Sequence, residues 1–259
     1  MKVLVTGAGG FLGRGLVVPF AECGRHELRL MDVTPFEDSA HEVVIGDVAD
    51  LQTVRSAVDG VDALVIAHMA QQQKKSYATP TVPFDANVKG TANLFFAAAE
   101  RGIRRVVLVS TTGVVHRHRT DGQFFHRDLS VGSRGLYGLT KVCQEMIAEH
   151  YHRNDSFEVA CLRLGYIVDA DLAEDKYGKP VTERNWQLAD RRDIGSAALA
   201  AMELGDLSWE VFYVMSTDES MAHADTAYTR SRLGWRPAHR FKHLPPSQAM
   251  KERFGEDYA

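Results

Sequence analysis

The first two dozen residues constrain the fold of this chain more than any other segment. The apolar, β-branched run Val3-Leu4-Val5 leads into a glycine-rich turn, and residues 11–23 then carry apolar side chains at helical spacing. Glycines at the turn allow a tight bend, a close approach of the backbone to a pyrophosphate, and close packing of the helix on the strand. The unit therefore predicts a dinucleotide-binding turn. Its predicted contacts are Gly7, Gly10, Phe11, Leu12 and Gly13.

Strand and helix patterns alternate along most of the chain. This alternation indicates an α/β fold of the Rossmann type, a doubly wound parallel sheet with helices on both faces. The predicted strands are residues 3–5, 28–31, 43–45, 63–66, 105–109, 159–162 and 211–214, and the predicted helices are residues 11–23, 51–58, 82–101, 134–153, 194–204 and 222–233.

The domain organisation follows from this pattern. The 259 residues contain no linker-like segment rich in Pro, Gly or Ser, and they fit one large domain. Strict alternation ends after the sixth strand, where residues 169–190 are polar and irregular. We expect a single domain with a dinucleotide-binding core and a small C-terminal substrate lobe. The core comprises about residues 1–165 and 191–216, and the lobe about residues 166–190 and 217–259.

Composition argues against several classes of partner. Thirty basic and 34 acidic residues give a net charge of −4 without a long basic block, so nucleic-acid binding has little electrostatic support. No apolar run reaches the length of a membrane span, and the first strand begins too early to leave room for a signal peptide. Cys23, Cys143 and Cys161 are widely spaced, which favours free thiols over a metal site. We expect a cytoplasmic protein without a metal ion, whose partner is a small molecule.

Asp32 bears on the identity of the dinucleotide. It ends the second predicted strand, about 20 residues after the turn, where a carboxylate accepts hydrogen bonds from the adenosine ribose hydroxyls and repels a 2′-phosphate. NAD is therefore favoured over NADP. Arg25 and Arg29 lie near enough in sequence to leave NADP open.

The end of the third strand offers a second contact for the adenosine half. Asp47 is placed to meet the adenine amino group, with Val48 packed on the ring. The competing role for this acidic stretch is to cap the following helix, which Asp50 could do as well.

A second constellation lies in the middle of the chain. Tyr137 and Lys141 are four residues apart and share a face of a predicted helix, so the ammonium can favour the phenolate and lower the pKa of Tyr137. Thr111, with Ser110 before it, lies at the carboxyl edge of the sheet, where a hydroxyl can orient a substrate carbinol. Asn87 supplies either a water or backbone link to Lys141 or a packing or capping contact.

Taken in order, these motifs resemble those of the extended short-chain dehydrogenase/reductase family, the NAD-dependent epimerase/dehydratase group. The resemblance covers residues 2–193 and continues weakly to residue 237. Besides the residues already named, it is carried by Val65-Ile66-Ala67-His68-Met69-Ala70, Asn87-Val88-Lys89-Gly90-Thr91-Ala92-Asn93-Leu94, Tyr137-Gly138-Leu139-Thr140-Lys141 with Glu145, and Leu162-Arg163-Leu164-Gly165.

The resemblance implies a catalytic set of Thr111, Tyr137 and Lys141, assisted by Asn87, with NAD as cofactor. His68 is expected to line the cofactor cleft, and a catalytic base or metal ligand is the competing interpretation. The residues predicted to bind NAD are Gly7, Gly10, Phe11, Leu12, Gly13, Asp32, Asp47, Val48, Ala67, His68, Met69, Ser110, Tyr137 and Lys141. The predicted substrate contacts are Gln71, Thr111, Thr112, Tyr137 and Gly165.

The length of the chain bears on the substrate. Many nucleotide-sugar enzymes of the family are considerably longer, so this length favours a small sugar, sugar acid or polyol. Among short members the chain is most similar to the uronate dehydrogenases, but Thr112-Gly113 stands where that group typically carries an Asn-His pair. The loop at residues 71–75 and the basic run at residues 116–119 follow sheet edges, where each meets either an anionic substrate or solvent.

The sequence thus predicts an NAD-dependent oxidoreductase that transfers hydride between the carbinol of a small sugar, sugar acid or polyol and NAD. Tyr137 is the predicted general base, Thr111 orients the oxygen, and Lys141 assists and anchors the nicotinamide ribose. The alternatives are a sugar or nucleotide-sugar epimerase or dehydratase with tightly bound NAD, and a non-catalytic NAD-sensing regulator. The two long helices predict a homodimer, although packing within the monomer explains much of the same pattern.

Overall fold

The computed structural model describes residues 1–72, 77–120 and 123–248. In chain order the strands of this part are β1 (Lys2–Thr6), β2 (Glu27–Asp32), β3 (Glu42–Ile45), β4 (Ala63–Ile66), β5 (Arg105–Thr111), β6 (Glu158–Leu164), β7 (Tyr166–Asp169), β8 (Glu174–Asp175), β9 (Leu188–Asp190) and β10 (Trp209–Val214). Seven of them form one sheet in the order β10-β6-β5-β4-β1-β2-β3, with every neighbouring pair parallel. The predicted doubly wound parallel sheet is confirmed.

Helices cover both faces of this sheet. In chain order the described ones are α1 (Phe11–Cys23), α2 (Leu51–Ala57), α3 (Thr81–Pro83), α4 (Gly90–Glu100), α5 (His116–Thr120), α6 (Gly135–Asp155), α7 (Arg191–Met202) and α8 (Thr226–Arg232). Because side chains alternate along a strand, Val3 and Val5 pack with the apolar residues of α1 and α7, while Leu4 packs with those of α2, α4 and α6. Both faces of β1 are therefore buried, which explains its continuous apolar sequence.

The strand order defines where a ligand can bind. From β1 the chain runs outward through β2 and β3 and then returns to add β4, β5 and β6 on the other side of β1. The order thus reverses between β1 and β4, and the carboxyl ends of these two strands border a crevice. The glycine-rich turn follows β1, and the motifs after β4 and at the end of β5 come to the same edge.

The region predicted to be irregular, residues 169–190, is more ordered than its sequence indicates. The strands β7, β8 and β9 form a second, three-stranded sheet, in which β7 pairs antiparallel with β8 and parallel with β9. Most of residues 169–190 is irregular, as predicted, and the prediction missed β8 and β9, which are only two and three residues long. Side-chain bonds support them: Asp175 accepts from the backbone N–H groups of Tyr177 and Lys179, at 2.8 and 2.9 Å.

Two predicted helices also differ in detail. The helix predicted at residues 82–101 is interrupted by a π-helical segment, Phe84–Lys89, before α4 begins. Such segments often occur at functional sites, and this one carries Asn87. The helix predicted at residues 222–233 is a 3₁₀ turn, Glu219–Ala222, followed by α8, because Ala224 forms a β-bridge with Phe125 between them.

None of the helices in the described part of the chain is long and apolar enough to cross a membrane.

Candidate active site

The glycine-rich turn has the geometry of a phosphate cradle. Gly7 has a φ of +71°, and a Cβ atom on Gly13 would lie 2.1 Å from the carbonyl oxygen of Gly7, so neither position accepts a side chain without displacement. Helix α1 begins at Phe11, has no acidic residue in its first turn, and is not capped by a side chain of the described residues. Its N-terminal N–H groups and dipole therefore fit the pyrophosphate of a dinucleotide.

Asp32 lies beside this turn at the end of β2. Its Oδ2 accepts a hydrogen bond from the Gly9 N–H at 3.0 Å, and its Oδ1 accepts from the Thr34 N–H at 3.1 Å. The two arginines that left NADP open are engaged elsewhere: Arg25 pairs with Glu203 and Arg29 with Glu42. A negative charge thus borders the cleft where the adenosine ribose is predicted to bind.

Asp47 and Asp50, which follow β3, have different hydrogen-bond partners. Asp50 caps α2 by accepting from the Gln52 N–H at 3.1 Å, whereas Asp47 is exposed and accepts from the Ala49 N–H at 2.8 Å. Val48 is buried against Gly90, where a Cβ would lie 2.4 Å from the valine Cγ2. The capping role belongs to Asp50, and adenine contact by Asp47 and Val48 stays a prediction.

His68, just after β4, contacts the end of β1 at the crevice between the two strands. Its Nδ1 lies 3.0 Å from Thr6 Oγ1, and the same hydroxyl accepts from the Ala67 N–H at 3.2 Å. Burial, reinforced by the charge of Lys141, lowers the pKa of His68 to about 3. The imidazole is therefore neutral at physiological pH, and a group with so low a pKa is too weak a base to serve as the proton acceptor. Ala67 and Met69 on either side are partly exposed, and their contact with NAD stays a prediction.

Thr111 and Tyr137 come together at the carboxyl edge of the sheet, as the resemblance implies. The Thr111 hydroxyl is hydrogen-bonded to Tyr137, and its Oγ1 also accepts from the Gly113 N–H at 3.1 Å. Burial nevertheless raises the pKa of Tyr137 to about 12, with the Thr111 hydrogen bond acting in the opposite direction. The expectation of a lowered tyrosine pKa was wrong for this structure, because the loss of hydration of the phenolate outweighs the favourable contacts.

Lys141 lies beneath Tyr137 on the same helix. Its ammonium Nζ donates to the backbone carbonyl of Val109 in β5 at 2.9 Å, and burial lowers the pKa of Lys141 to about 8. Asn87 lies close by but does not bond to Lys141. Its Oδ1 accepts from the Ala70 N–H at 2.7 Å, and its Nδ2 donates to Thr140 Oγ1 at 2.9 Å. Asn87 thus connects the end of β4 to α6.

The other predicted site residues have mixed surroundings. Ser110 points away from Thr111, as successive strand residues do, and donates to Glu145 at 2.5 Å. Thr112 is buried, and Gly165 packs so closely that a Cβ would lie 2.0 Å from the Gln187 carbonyl oxygen. Gln71 is exposed. Their contacts with NAD or substrate stay predictions.

The two predicted anion-binding segments are only partly described. Residues 73–75 of the first loop lie outside the described residues, as do residues 249–259 of the predicted lobe and the side chain of Arg119. In the basic run, the His118 ring bonds to Gln123 and to the Ser130 carbonyl, at 2.8 and 2.9 Å. That histidine is therefore held by the loop that follows α5.

Sequence reasoning missed a hairpin that lies over Tyr137. The ammonium of Lys176, between β8 and the following turn, is 6.0 Å from the centre of the Tyr137 ring and 5.1 Å from that of Tyr177. The Tyr177 hydroxyl donates to Gln72 at 3.0 Å, and so joins the hairpin to the loop after β4. The segment Asp175-Lys176-Tyr177-Gly178 does carry a turn signal, but nothing local to it indicates its position over Tyr137.

One group among the described residues has metal-ligand chemistry, and it lies away from this site. Cys23, His26 and Glu203 bring their potential ligand atoms within 4.8 Å of one another, beside the amino end of β2. Both oxygens of Glu203 already accept hydrogen bonds from the Arg25 guanidinium at 2.8 Å. The carboxylate is thus neutralised by the protein itself.

Comparisons with known proteins agree with this geometry. A family model for the NAD dependent epimerase/dehydratase family matches residues 3–170. The NAD-dependent glucose-6-phosphate dehydrogenase of Haloferax volcanii is 26% identical over 262 residues, covering 91% of this chain and 92% of that protein. The uronate dehydrogenase of Pseudomonas putida is 29% identical over 172 residues, covering 63% and 60%. A solved structure of a short-chain dehydrogenase/reductase superfamily protein from Agrobacterium tumefaciens, with bound NAD, shares the fold with a TM-score of 0.76 at 21% identity, covering 92% of both chains.

Proposed function

Because this chain belongs to the NAD dependent epimerase/dehydratase family, we propose that it is an NAD-dependent oxidoreductase that transfers hydride between the carbinol of a small sugar or sugar acid and NAD. One observation carries the proposal: Tyr137, hydrogen-bonded to Thr111 and lying above Lys141, occupies the sheet edge that the glycine-rich turn also borders. That is the juxtaposition of proton-transfer groups and dinucleotide cradle that hydride transfer requires.

The described residues fit NAD along the whole crevice. The turn from Gly7 to Gly13 and the uncapped start of α1 would hold the pyrophosphate, and Asp32 would accept from the adenosine ribose hydroxyls. Asp47 and Val48 would meet the adenine. When bound, the nicotinamide supplies the hydride acceptor or donor, and every proton movement is left to the protein.

Tyr137 would exchange the proton of the substrate hydroxyl. With a pKa of about 12 it is protonated at neutral pH, and so is ready to donate in the direction of carbonyl reduction. In the direction of oxidation its pKa must fall, and a positive charge close to the phenol favours that change. Lys141 is the resident cation on the same helix face. Thr111 would orient the substrate oxygen towards Tyr137.

We further propose that the substrate carries an anionic group. Lys176 brings an ammonium to the roof of the site, within 6.0 Å of the Tyr137 ring centre, and a carboxylate or phosphate of a bound sugar could pair with it. One relative that aligns over most of both chains is named for a sugar phosphate, another is named for uronate, and a third is named for the neutral sugar L-arabinose. In this proposal residues 166–190 and the segment after residue 217 form the substrate lobe.

The activity is tested with purified protein, NAD, and a panel of uronates, sugar phosphates, neutral aldoses and polyols. We expect NADH formation with an anionic sugar, and a loss of about 100-fold or more in kcat for Tyr137→Phe with NAD binding intact. Tyr228→Phe on α8 is the matched control, because it also removes a hydroxyl, one that donates to Glu210 at 2.7 Å. Wild-type turnover in Tyr137→Phe would refute the proposal. Tightly bound NAD without net NADH release would favour the epimerase.

The substrate class is tested separately with Lys176→Met. We expect KM for the anionic sugar to rise about two- to fivefold while KM for NAD stays unchanged, because one partly exposed charge pair is lost. An equal rise for neutral and anionic sugars would contradict recognition of the anionic group. Lys179→Met, three residues further along the chain, is the control.

We also propose a homodimer formed through α4 and α6. Leu139 and Met146, seven residues apart and so on one face of α6, are 44% and 61% exposed, and Phe96 on α4 is 44% exposed. We expect a dimer by light scattering, and a monomer for Met146→Glu. A monomeric wild-type protein would contradict this assignment. The three free cysteines support a cytoplasmic location, where thiols stay reduced.

A further inference from the structure

A buried ion pair lies directly behind Tyr137 and Lys141. Glu145, one turn after Lys141 on α6, accepts two hydrogen bonds from the Arg163 guanidinium: Nε donates to Oε1 at 3.1 Å and Nη2 to Oε2 at 2.9 Å. The two side chains are 6% and 5% exposed. The sequence singled them out only as parts of family motifs.

The pair joins the elements that carry the predicted catalytic residues. Ser110, next to Thr111 in β5, donates its hydroxyl to Glu145 at 2.5 Å. Arg163 belongs to β6 and also donates to the Tyr213 hydroxyl in β10 at 3.1 Å. A single carboxylate therefore connects α6 to β5 and β6 at the level of the site.

Stability alone is a weak reason for such a pair. Removing two charges from water is costly, and apolar side chains of the same size often stabilise a core as well or better. We propose that Glu145 and Arg163 are positioning residues, which hold α6 against β5 and β6 and thereby fix Tyr137 and Lys141 relative to Thr111. This inference rests on the proposed function only in taking those three residues as the catalytic set.

The charge of Glu145 adds an electrostatic component. Burial lowers the pKa of Lys141, and Lys176 from the roof acts in the same direction, while Cys161 and Glu145 act against it. Burial raises the pKa of Cys161 well above its ordinary value, so its thiol is neutral, and His68 across the crevice is neutral too. Glu145 is thus the negative charge that favours the ammonium form of Lys141.

The test measures Lys141 directly. Glu145→Gln keeps the size of the side chain and removes its charge. The control is Glu149→Gln, one turn further along α6, where a partly exposed carboxylate pairs with Arg153. The pKa of Lys141 is followed by NMR titration of carbon-13-labelled lysine side chains. We expect a fall of about one pH unit in Glu145→Gln, the effect of a unit charge at about 10 Å when the dielectric constant is about 20. The control should not change.

A second variant separates positioning from stability. Glu145→Gln leaves Arg163 as an unpaired buried charge and can unfold the protein, so Glu145→Gln with Arg163→Met removes both charges. We expect this double variant to fold, to bring the pKa of Lys141 back towards its wild-type value because both charges are gone, and to lose about tenfold in kcat with KM for NAD unchanged. A wild-type pKa for Lys141 in folded Glu145→Gln, or wild-type kcat in the folded double variant, would overturn the proposal. The titration needs no substrate, so it holds even if the proposed activity fails.

Discussion

We predict that the preference for NAD depends on the charge of Asp32, which the substitution of one side-chain oxygen by an amide nitrogen removes. Asp32→Asn keeps an acceptor for the Gly9 N–H, which Asp32 now binds at 3.0 Å, so the turn should retain its conformation. The variant differs from the wild type mainly in charge. It therefore isolates the electrostatic component of coenzyme selection from the folding of the cradle.

The magnitude follows from two effects of the same charge. Hydrogen bonds from ribose hydroxyls to a carboxylate are stronger than those to a neutral amide, so NAD binding should weaken by about 1–2 kcal/mol. A 2′-phosphate at about 4–5 Å from a partly exposed carboxylate is repelled by about 1–2 kcal/mol per charge, so NADP binding should improve by that amount. The ratio of the two Kd values should shift by about 30- to 1000-fold towards NADP.

The assay is a binding titration with NAD and NADP, which needs no substrate. Asp62→Asn is the matched control, because Asp62 also accepts a backbone N–H of β1, that of Lys2 at 2.7 Å, but does so at the opposite edge of the sheet. A ratio of Kd values in Asp32→Asn within about twofold of the wild type would refute the assignment of Asp32 to the adenosine ribose.

Three further results are expected. Gly13→Ala should abolish NAD binding and destabilise the fold by about 2 kcal/mol or more, because the new Cβ would lie 2.1 Å from the Gly7 carbonyl oxygen. Gly10→Ala should destabilise the fold much less, because its Cβ would lie 3.3 Å from the same oxygen. Equal denaturation midpoints for the two variants would contradict this. The pKa of Lys141 in the folded protein, about 8, lies below its value in the unfolded chain. The unfolded chain therefore binds more protons than the folded protein between about pH 8 and pH 10. Over that range the stability of the wild type relative to Lys141→Met should rise by up to about 1.4 kcal/mol per pH unit. Denaturant titrations at several pH values test this, and a flat difference is the contrary result. Asn87→Ala should lower kcat by about tenfold. It should also speed hydrogen exchange of the Ala70 amide, because that N–H donates to Asn87 Oδ1 at 2.7 Å. An unchanged exchange rate would show that this hydrogen bond is dispensable.

The fold was predictable from the sequence because its signals are local. An apolar strand, three spaced glycines and a helical pattern predict the β1-turn-α1 unit, and α1 was predicted with the bounds observed. Repetition of such units leaves one doubly wound arrangement. The short strands β7 to β9 escaped prediction because two- to four-residue strands carry too few side chains to show a period.

The sequence predicted which residues come together at the candidate site better than it predicted their hydrogen-bond partners and pKa values. Tyr137 and Thr111 were expected together, and they are hydrogen-bonded. Asn87 bonds to Thr140, the neighbour of Lys141, and a water-mediated link from Asn87 to Lys141 stays a prediction. Nothing in the sequence indicated that Lys176 lies over the Tyr137 ring.

The sequence by itself thus determined the sheet and predicted the dinucleotide cradle and the proposed proton-transfer residues, because glycine conformations and residue periodicities act over a few neighbouring positions. Only the tertiary structure decided that His68 is neutral, that Tyr137 is protonated, and that Lys176 lies over its ring. Those properties depend on burial and on distances between residues far apart in the chain. The electrostatic cost of burying a charge depends on all the groups that pack around it, and a local sequence pattern does not show which groups those are.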